Sequence, residues 1–194
     1  MGKLKLALFA SGSGSNALKI IDYFASHASI EVSFVLSNKK DAPIVEAASL
    51  KKTKVIVLNN EQVSDGVLLT KTCKENGVDF IILAGYLRKI PVYLLENYSD
   101  KIINVHPALL PKYGGKGMYG QHVHEAVLAN KETETGITIH YVNENFDEGR
   151  IIAQFHCPVI ESDDLPSIQR KIQYLEHSYF SYVIEKTLIP FLHV

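Results

Sequence analysis

Asn104 and His106 stand two residues apart at the end of an apolar run, and Pro107 follows directly. In an extended chain, side chains at i and i+2 point the same way, so this amide and this imidazole can reach one reacting atom together. Pro107 biases His106 towards extended geometry. An Asn that donates to a developing oxyanion, beside a His that moves a proton, suits acyl transfer. The plainer alternative is a strand that ends at a proline turn, with His106 merely capping it. Asp147 is the candidate partner, inside the tight connection Asn143-Glu144-Asn145-Phe146-Asp147-Glu148-Gly149. An Asp in a turn usually serves turn geometry. A carboxylate set against an imidazole would instead favour the charged ring and hold its tautomer.

A second candidate is the loop Gly12-Ser13-Gly14-Ser15-Asn16-Ala17, which fits G-x-G-x-x-G/A between a strand and a helix. Its glycines let the backbone approach an anion, and the helix N-terminus offers N–H groups and a favourable dipole. A dinucleotide site also wants an acidic residue about 20 positions on, at the end of the second strand. Here that strand ends Leu36-Ser37-Asn38-Lys39. A monophosphate site remains, or a tight turn without a ligand. His122 and His124 are spaced i, i+2 and do not share a helix face. That argues against a metal pair and for a supporting hydrogen bond; no metal is expected.

These groups need elements to hold them, and the hydrophobic pattern supplies strands and helices in alternation. Strands are predicted at Leu4–Ala10, Ile30–Leu36, Val55–Leu58, Asp79–Ala84 and Lys101–Val105. Helices are predicted from about Ala17 (with Leu18, Ile21 and Phe24 inward), at Pro43–Leu50 opened by Asp41, at Val67–Cys73 and at Pro91–Asn97. Such alternation implies right-handed βαβ units and a parallel sheet. Beyond the glycine-rich stretch 111–120, a helix is predicted at His122–Leu128 and strands at Gly136–Val142 and Arg150–Ile160. The connection between those two strands is short enough for an antiparallel pair. Ser162-Asp163-Asp164 then caps a long final helix that runs to about Leu188. The expected fold class is α/β: one Rossmann-like domain over residues 1–194, its sheet mostly parallel, with an antiparallel C-terminal strand pair and a long final helix.

The bulk properties agree with a single soluble domain. The chain has 194 residues, 46% hydrophobic and 21% charged, with a formal net charge of -1. That charge predicts no electrostatic attraction to nucleic acid or an anionic membrane. Cys73 and Cys157 form no disulfide or zinc pattern, as expected of thiols in a reducing, cytoplasmic compartment. The apolar part of the first ten residues runs only from Leu6 to Ala10, too short for a signal peptide. No segment is long enough to span a bilayer.

Several motifs together resemble the phosphoribosylglycinamide formyltransferases of the formyltransferase superfamily. They are Ala10-Ser11-Gly12-Ser13-Gly14-Ser15-Asn16, Leu83-Ala84-Gly85-Tyr86-Leu87-Arg88, Asn104-Val105-His106-Pro107-Ala108-Leu109-Leu110-Pro111, and Gly136-Ile137-Thr138-Ile139-His140-Tyr141-Val142 with Asp147-Glu148-Gly149. The resemblance implies transfer of the formyl group of 10-formyltetrahydrofolate to the primary amine of glycinamide ribonucleotide, without a metal. It implies that Asn104, His106 and Asp147 are catalytic. Gly14, Ser15 and Asn16 would hold the ribonucleotide phosphate, with Gln173, Tyr174, Leu175 and Glu176 also on the ribonucleotide. Leu87, Arg88, Lys89 and Ile90 would line the folate pocket, with Asn104 and with Asn143, Glu144, Asn145, Phe146 and Asp147. The phosphate loop would thus lie near 11–16, and the folate and catalytic half would begin at about 84. The partners expected are these small molecules, with no nucleic acid and no membrane, in a monomer or a homodimer. The chain departs from the family's usual pattern at Phe146, at Glu148 and Arg150, and at Gln62-Val63-Ser64-Asp65-Gly66, which lacks an Arg. Its loop 114–120 is also longer than in some relatives. Alternatives are formyl transfer to a nucleotide-sugar amine or to methionyl-tRNA, a formyltetrahydrofolate hydrolase, and a non-catalytic nucleotide-binding module. A chain this short and without a basic excess disfavours the RNA-binding version.

Overall fold

Runs that are apolar on both faces make the central strands, because a parallel sheet is covered on both sides. In this computed structural model, which describes residues 2–192, β1 (Leu4–Phe9) and β4 (Phe80–Leu83) are such runs. With β2 (Ile30–Ser37), β3 (Val55–Val57), β5 (Ile102–His106), β6 (Glu134–Tyr141) and β7 (Ile151–Pro158), they form one sheet in the order β3-β2-β1-β4-β5-β6-β7. β1 pairs in parallel with β2 and β4, and β2 with β3; β6 and β7 are antiparallel. The helices are α1 (Ser15–Phe24), α2 (Pro43–Leu50), α3 (Gly66–Glu75), α4 (Val92–Asn97), α5 (Gln121–Ala129) and α6 (Leu165–Leu188). Two short 3-10 turns, Gln62–Ser64 and Ile189–Phe191, were not predicted.

The chain divides into two compact units. The first runs up to Ile103 and takes in the chain from Leu188 on; the second is Asn104–Thr187. In the first, Leu6, Leu8, Phe9, Phe34, Phe80 and Ile81 are buried, and Phe191 meets Phe80 edge to face with ring centres 5.0 Å apart. Strand order reverses between β1 and β4, the kind of switch point where open α/β sheets take ligands. In the second unit, Phe155 of β7 stacks on Tyr179 of α6 at 3.9 Å and 9°. Ile168, Ile172, Leu175 and Phe180 of α6 are also buried, giving that helix its inward stripe.

Two local expectations need correction, and one cap was not expected. The inward face of α1 carries Ala17, Ile20, Ile21 and Phe24, with Leu18 only half-buried, because those four follow the i, i+3, i+4, i+7 spacing of one stripe and Leu18 falls at its edge. Asp41 does not cap α2. Pro43 is the first helical residue and forces Ala42 into an extended cap (φ -67°, ψ 133°), which leaves Asp41 one residue too far back. Asp65 caps α3 unforeseen, accepting from Val67 and Leu68 N–H at 2.9 and 3.0 Å. Asp164 caps α6 as expected, accepting from Ser167 N–H at 2.8 Å. Beside it, the Lys171 ammonium, the Ser167 hydroxyl and the Ile160 N–H hold the Asp163 carboxyl down at about 2.

Candidate functional site

In the first unit, the loop after β1 enters α1 through Gly14, whose φ of +68° lies in the left-handed region that favours glycine. A Cβ at Gly14 would stand 2.4–2.6 Å from the Ile44 side chain, so this glycine also lets α1 and α2 meet closely. At Gly12 a Cβ would meet nothing within 4 Å. The N-cap residue is Gly14, which has no side chain to cap the first turn of α1, so that turn, with Ser15 and Asn16, has the character of a helix N-terminus that suits an anion. Ser11 ties this loop to the one after β4: its N–H donates to Gly85 O at 3.1 Å, and its hydroxyl accepts from Leu87 N–H at 3.1 Å. The same hydroxyl donates to Asn38 Oδ1 at 2.7 Å. A cavity of about 740 Å³ opens here, lined by Ser11, Gly12, Asn38, Lys39 and Lys40 among others. Leu87, Arg88 and Lys89 are exposed beside Ser11, while Ile90 is buried, so only its backbone can face a ligand.

In the second unit, Asn104, His106 and Asp147 do converge, but through a residue not foreseen as part of the site. His140 Nδ1 lies 2.9 Å from its neighbour's carbonyl, Tyr141 O. A carbonyl only accepts, so Nδ1 carries the proton and Nε2 the lone pair. Asn104 Nδ2, 3.1 Å from that Nε2, therefore donates to it. Burial pushes the His140 pKa down, and repulsion between it and the nearby His106 ring adds to this, while Tyr141 O and Asp147 oppose. Asp147 Oδ1 stands 3.7 Å from His140 Nε2, and its Oδ2 stands 3.5 Å from His106 Nδ1. Gly115 N–H donates to the same Oδ2 at 3.0 Å. His106 is 3% exposed, and its Nε2 donates to Tyr113 O at 2.7 Å. One imidazole nitrogen is thus anchored to the backbone and the other is left facing the carboxylate.

The supports for this cluster are local and steric. Asp147 sits at φ +59°, a left-handed conformation that Asp tolerates better than most residues. Two positions further on, a Cβ at Gly149 would fall 1.7 Å from Tyr141 O, so only glycine lets the loop lie against β6. Thr138, on the same strand face as His140, donates to Ala108 O at 2.7 Å and accepts from Leu110 N–H at 3.0 Å. Those bonds fix the segment that leaves His106. A polar residue at every second position, Thr138 and then His140, inside the apolar run of β6 was the signal that could have found His140.

The other expected residues are placed as follows. Asn143, Glu144, Asn145 and Phe146 are exposed, and the loop is braced by Asn145 N–H to Asn143 Oδ1 at 3.0 Å and Asn145 Nδ2 to Glu148 Oε2 at 2.9 Å. Gln173 and Tyr174 are exposed on α6, the latter at 70%, and Glu176 is half-buried. Leu175 turns inward at 7% exposure, so its side chain belongs to the helix stripe. His122 is exposed and faces Glu125 at 3.5 Å, whereas His124 is buried, as their i, i+2 spacing requires. Burial pushes the His124 pKa down, and repulsion between it and the nearby His106 ring lowers it further. Among the described residues, no cluster of three or more His, Cys, Asp or Glu could hold a metal ion. No described helix is long and apolar enough to cross a membrane.

Residues 4–184 match the formyl transferase family profile. The chain is similar to the chloroplastic phosphoribosylglycinamide formyltransferase of Arabidopsis thaliana, 41% identical over 187 residues, which are 93% of this chain and 64% of that protein. It is also similar to the trifunctional purine biosynthetic protein adenosine-3 of Drosophila pseudoobscura pseudoobscura, 35% identical over 91% of this chain and 13% of that protein. It therefore spans less than two thirds of the length of these two relatives. Among solved structures, the phosphoribosylglycinamide formyltransferase of Bacillus halodurans superposes with a TM-score of 0.87 at 35% identity, over 95% of each chain. The chain belongs to the formyl transferase family.

Proposed function

We propose that this chain, working as a single formyltransferase domain, transfers the formyl group of 10-formyltetrahydrofolate to the primary amine of glycinamide ribonucleotide in purine biosynthesis. The observation that carries the reading is Asp147, a largely buried carboxylate whose two oxygens face His106 and His140. Attack of the neutral amine on the formyl carbon forms a C–N bond and leaves a negative tetrahedral oxygen. Asn104 has two amide N–H groups; one is spent on His140, and the second is the donor for that oxygen. Because Nε2 of His106 is anchored on Tyr113 O, the working nitrogen is Nδ1, shared with Asp147. Proton loss from the attacking amine and proton gain by the departing folate nitrogen then pass through Nδ1 and Asp147, or through water held by them. The bond from the formyl carbon to that folate nitrogen breaks, and the charges balance without a metal.

The first turn of α1, with Ser15 and Asn16, takes the ribonucleotide phosphate, with Gln173 and Glu176 on the nucleotide. They sit one turn apart on α6 and share a face. Residues 87–90 and 143–147 line the folate site. The test is turnover of glycinamide ribonucleotide with 10-formyltetrahydrofolate, followed by formation of the formylated product. Release of free formate without that product would replace this reading by hydrolysis, and no consumption of the folate would replace it by a binding role.

A further inference from the structure

Tyr113 is engaged at both ends. Its carbonyl accepts the Nε2–H of His106 at 2.7 Å. Its phenol donates to Glu132 Oε1 at 2.8 Å. Between the two, its backbone sits at φ +57°, in the left-handed region that side-chain-bearing residues rarely adopt. Such a conformation persists only where the surroundings impose it. The phenol's partner, Glu132, lies on the turn between α5 and β6, where Glu132 N–H is itself fixed to Val127 O at 3.2 Å. Lys112 Nζ bridges both Glu132 oxygens at 3.1 Å each. The phenol and the ammonium hold the Glu132 carboxyl below its ordinary value, and burial, with the bond to Glu132, pushes the phenol up. Donor and acceptor therefore both keep their roles around neutral pH. Two residues on, Gly115 N–H donates to Asp147 Oδ2. One short strap, 112–115, thus supplies the acceptor for His106 and a donor for Asp147.

We propose that Tyr113 and Glu132 form a positioning pair for His106. The carboxylate holds the phenol, the phenol holds residue 113 in its left-handed conformation, and the carbonyl so placed anchors Nε2 and leaves Nδ1 to face Asp147. The catalytic half of this inference rests on the reading that His106 and Asp147 carry the transfer; the anchoring half does not. A merely structural contact would change melting temperature alone. A positioning pair changes kcat while both KM values stay within about twofold, since misplacing a reacting group by about 1 Å can cost about 10²-fold.

The experiment compares Tyr113→Phe, Glu132→Ala, Glu132→Gln and the double variant Tyr113→Phe/Glu132→Ala by steady-state kinetics and by 15N–1H NMR of the His106 ring. Tyr113→Phe and Glu132→Ala are each expected to lower kcat about tenfold or more. The double variant should lose no more than the worse single one, because the two groups act as a unit. Glu132→Gln keeps an acceptor for the phenol and should recover most of the loss. The Nε2–H signal of His106 should move upfield and exchange faster in Tyr113→Phe. An unmoved ring signal, or losses that add in the double variant, would overturn the pairing. Should the wild-type protein fail to formylate glycinamide ribonucleotide, the NMR comparison still decides the anchoring, so the two readings fail separately.

Discussion

The glycine-bearing loop after β1 and the cluster around Asp147 are built in opposite ways. The loop is one contiguous stretch, Ser11 to Asn16, and offers backbone N–H groups. The cluster gathers side chains from β5, from β6 and from the 143–149 loop, braced by two backbone groups of the 112–115 strap. A site made of backbone depends on which residues can adopt its conformation, and glycine decides that. A site made of dispersed side chains depends on distances set by other segments. The first should respond to substitution through fit and folding, the second through chemistry.

The sharpest break should come at Asp147 and His106. Asp147→Asn and His106→Ala are each expected to lower kcat about 10²–10⁴-fold, the usual contribution of an acid–base group, with the melting transition retained. Steady-state rates beside a thermal melt check this; near-native turnover by a folded His106→Ala protein would remove the cluster from the mechanism.

Next come the glycines, where the two regions can be compared directly. Gly149→Ala puts a Cβ against a backbone oxygen, Tyr141 O, which cannot step aside; a loss of about 3 kcal/mol is expected, together with activity. Gly14→Ala meets the Ile44 side chain and a left-handed φ, for about 1–3 kcal/mol. Gly12→Ala meets no neighbour, so it should leave stability within about 0.5 kcal/mol. Gly12→Ala should then raise KM for the ribonucleotide more than for the folate. Urea unfolding with the two KM values separates fit from folding; equal effects on both substrates would take the phosphate away from this loop.

The smallest effect is on pH. The buried histidines described, His106, His124 and His140, all lie in the second unit. Burial pushes the pKa of His140 and of His124 below the ordinary 6.5. The unfolded chain takes up their protons near pH 6.5 while the folded chain does so only at lower pH, so the unfolded state binds more protons in that window. Stability is therefore full above about pH 6.5 and falls as the pH drops below it, by up to about 1.4 kcal/mol per pH unit for each histidine. Urea midpoints between pH 7.5 and 5 measure the slope, and His124→Gln should flatten it.

What the sequence determined by itself was everything whose cause is local. The alternation of strands and helices, the glycine-bearing turn into α1, the Asp164 cap and the shared direction of Asn104 and His106 follow from short-range sterics and periodicity, and family motifs added the rest of the candidate list. Tertiary structure decided what depends on segments far apart in the chain. Asp147 was legible as a turn residue, yet its two histidine neighbours come from β5 and β6. His140 was marked only by its alternation with Thr138 in an apolar strand, and nothing local names its partner. Tyr113 and Glu132 are 19 residues apart, and neither has a pattern that names the other. Even Gly14, readable as an anion-loop glycine, owes part of its necessity to Ile44 on another helix. A single chain position fixes its own conformational choices; which atom it finally faces is fixed by packing, and the candidate chemistry is set at that level.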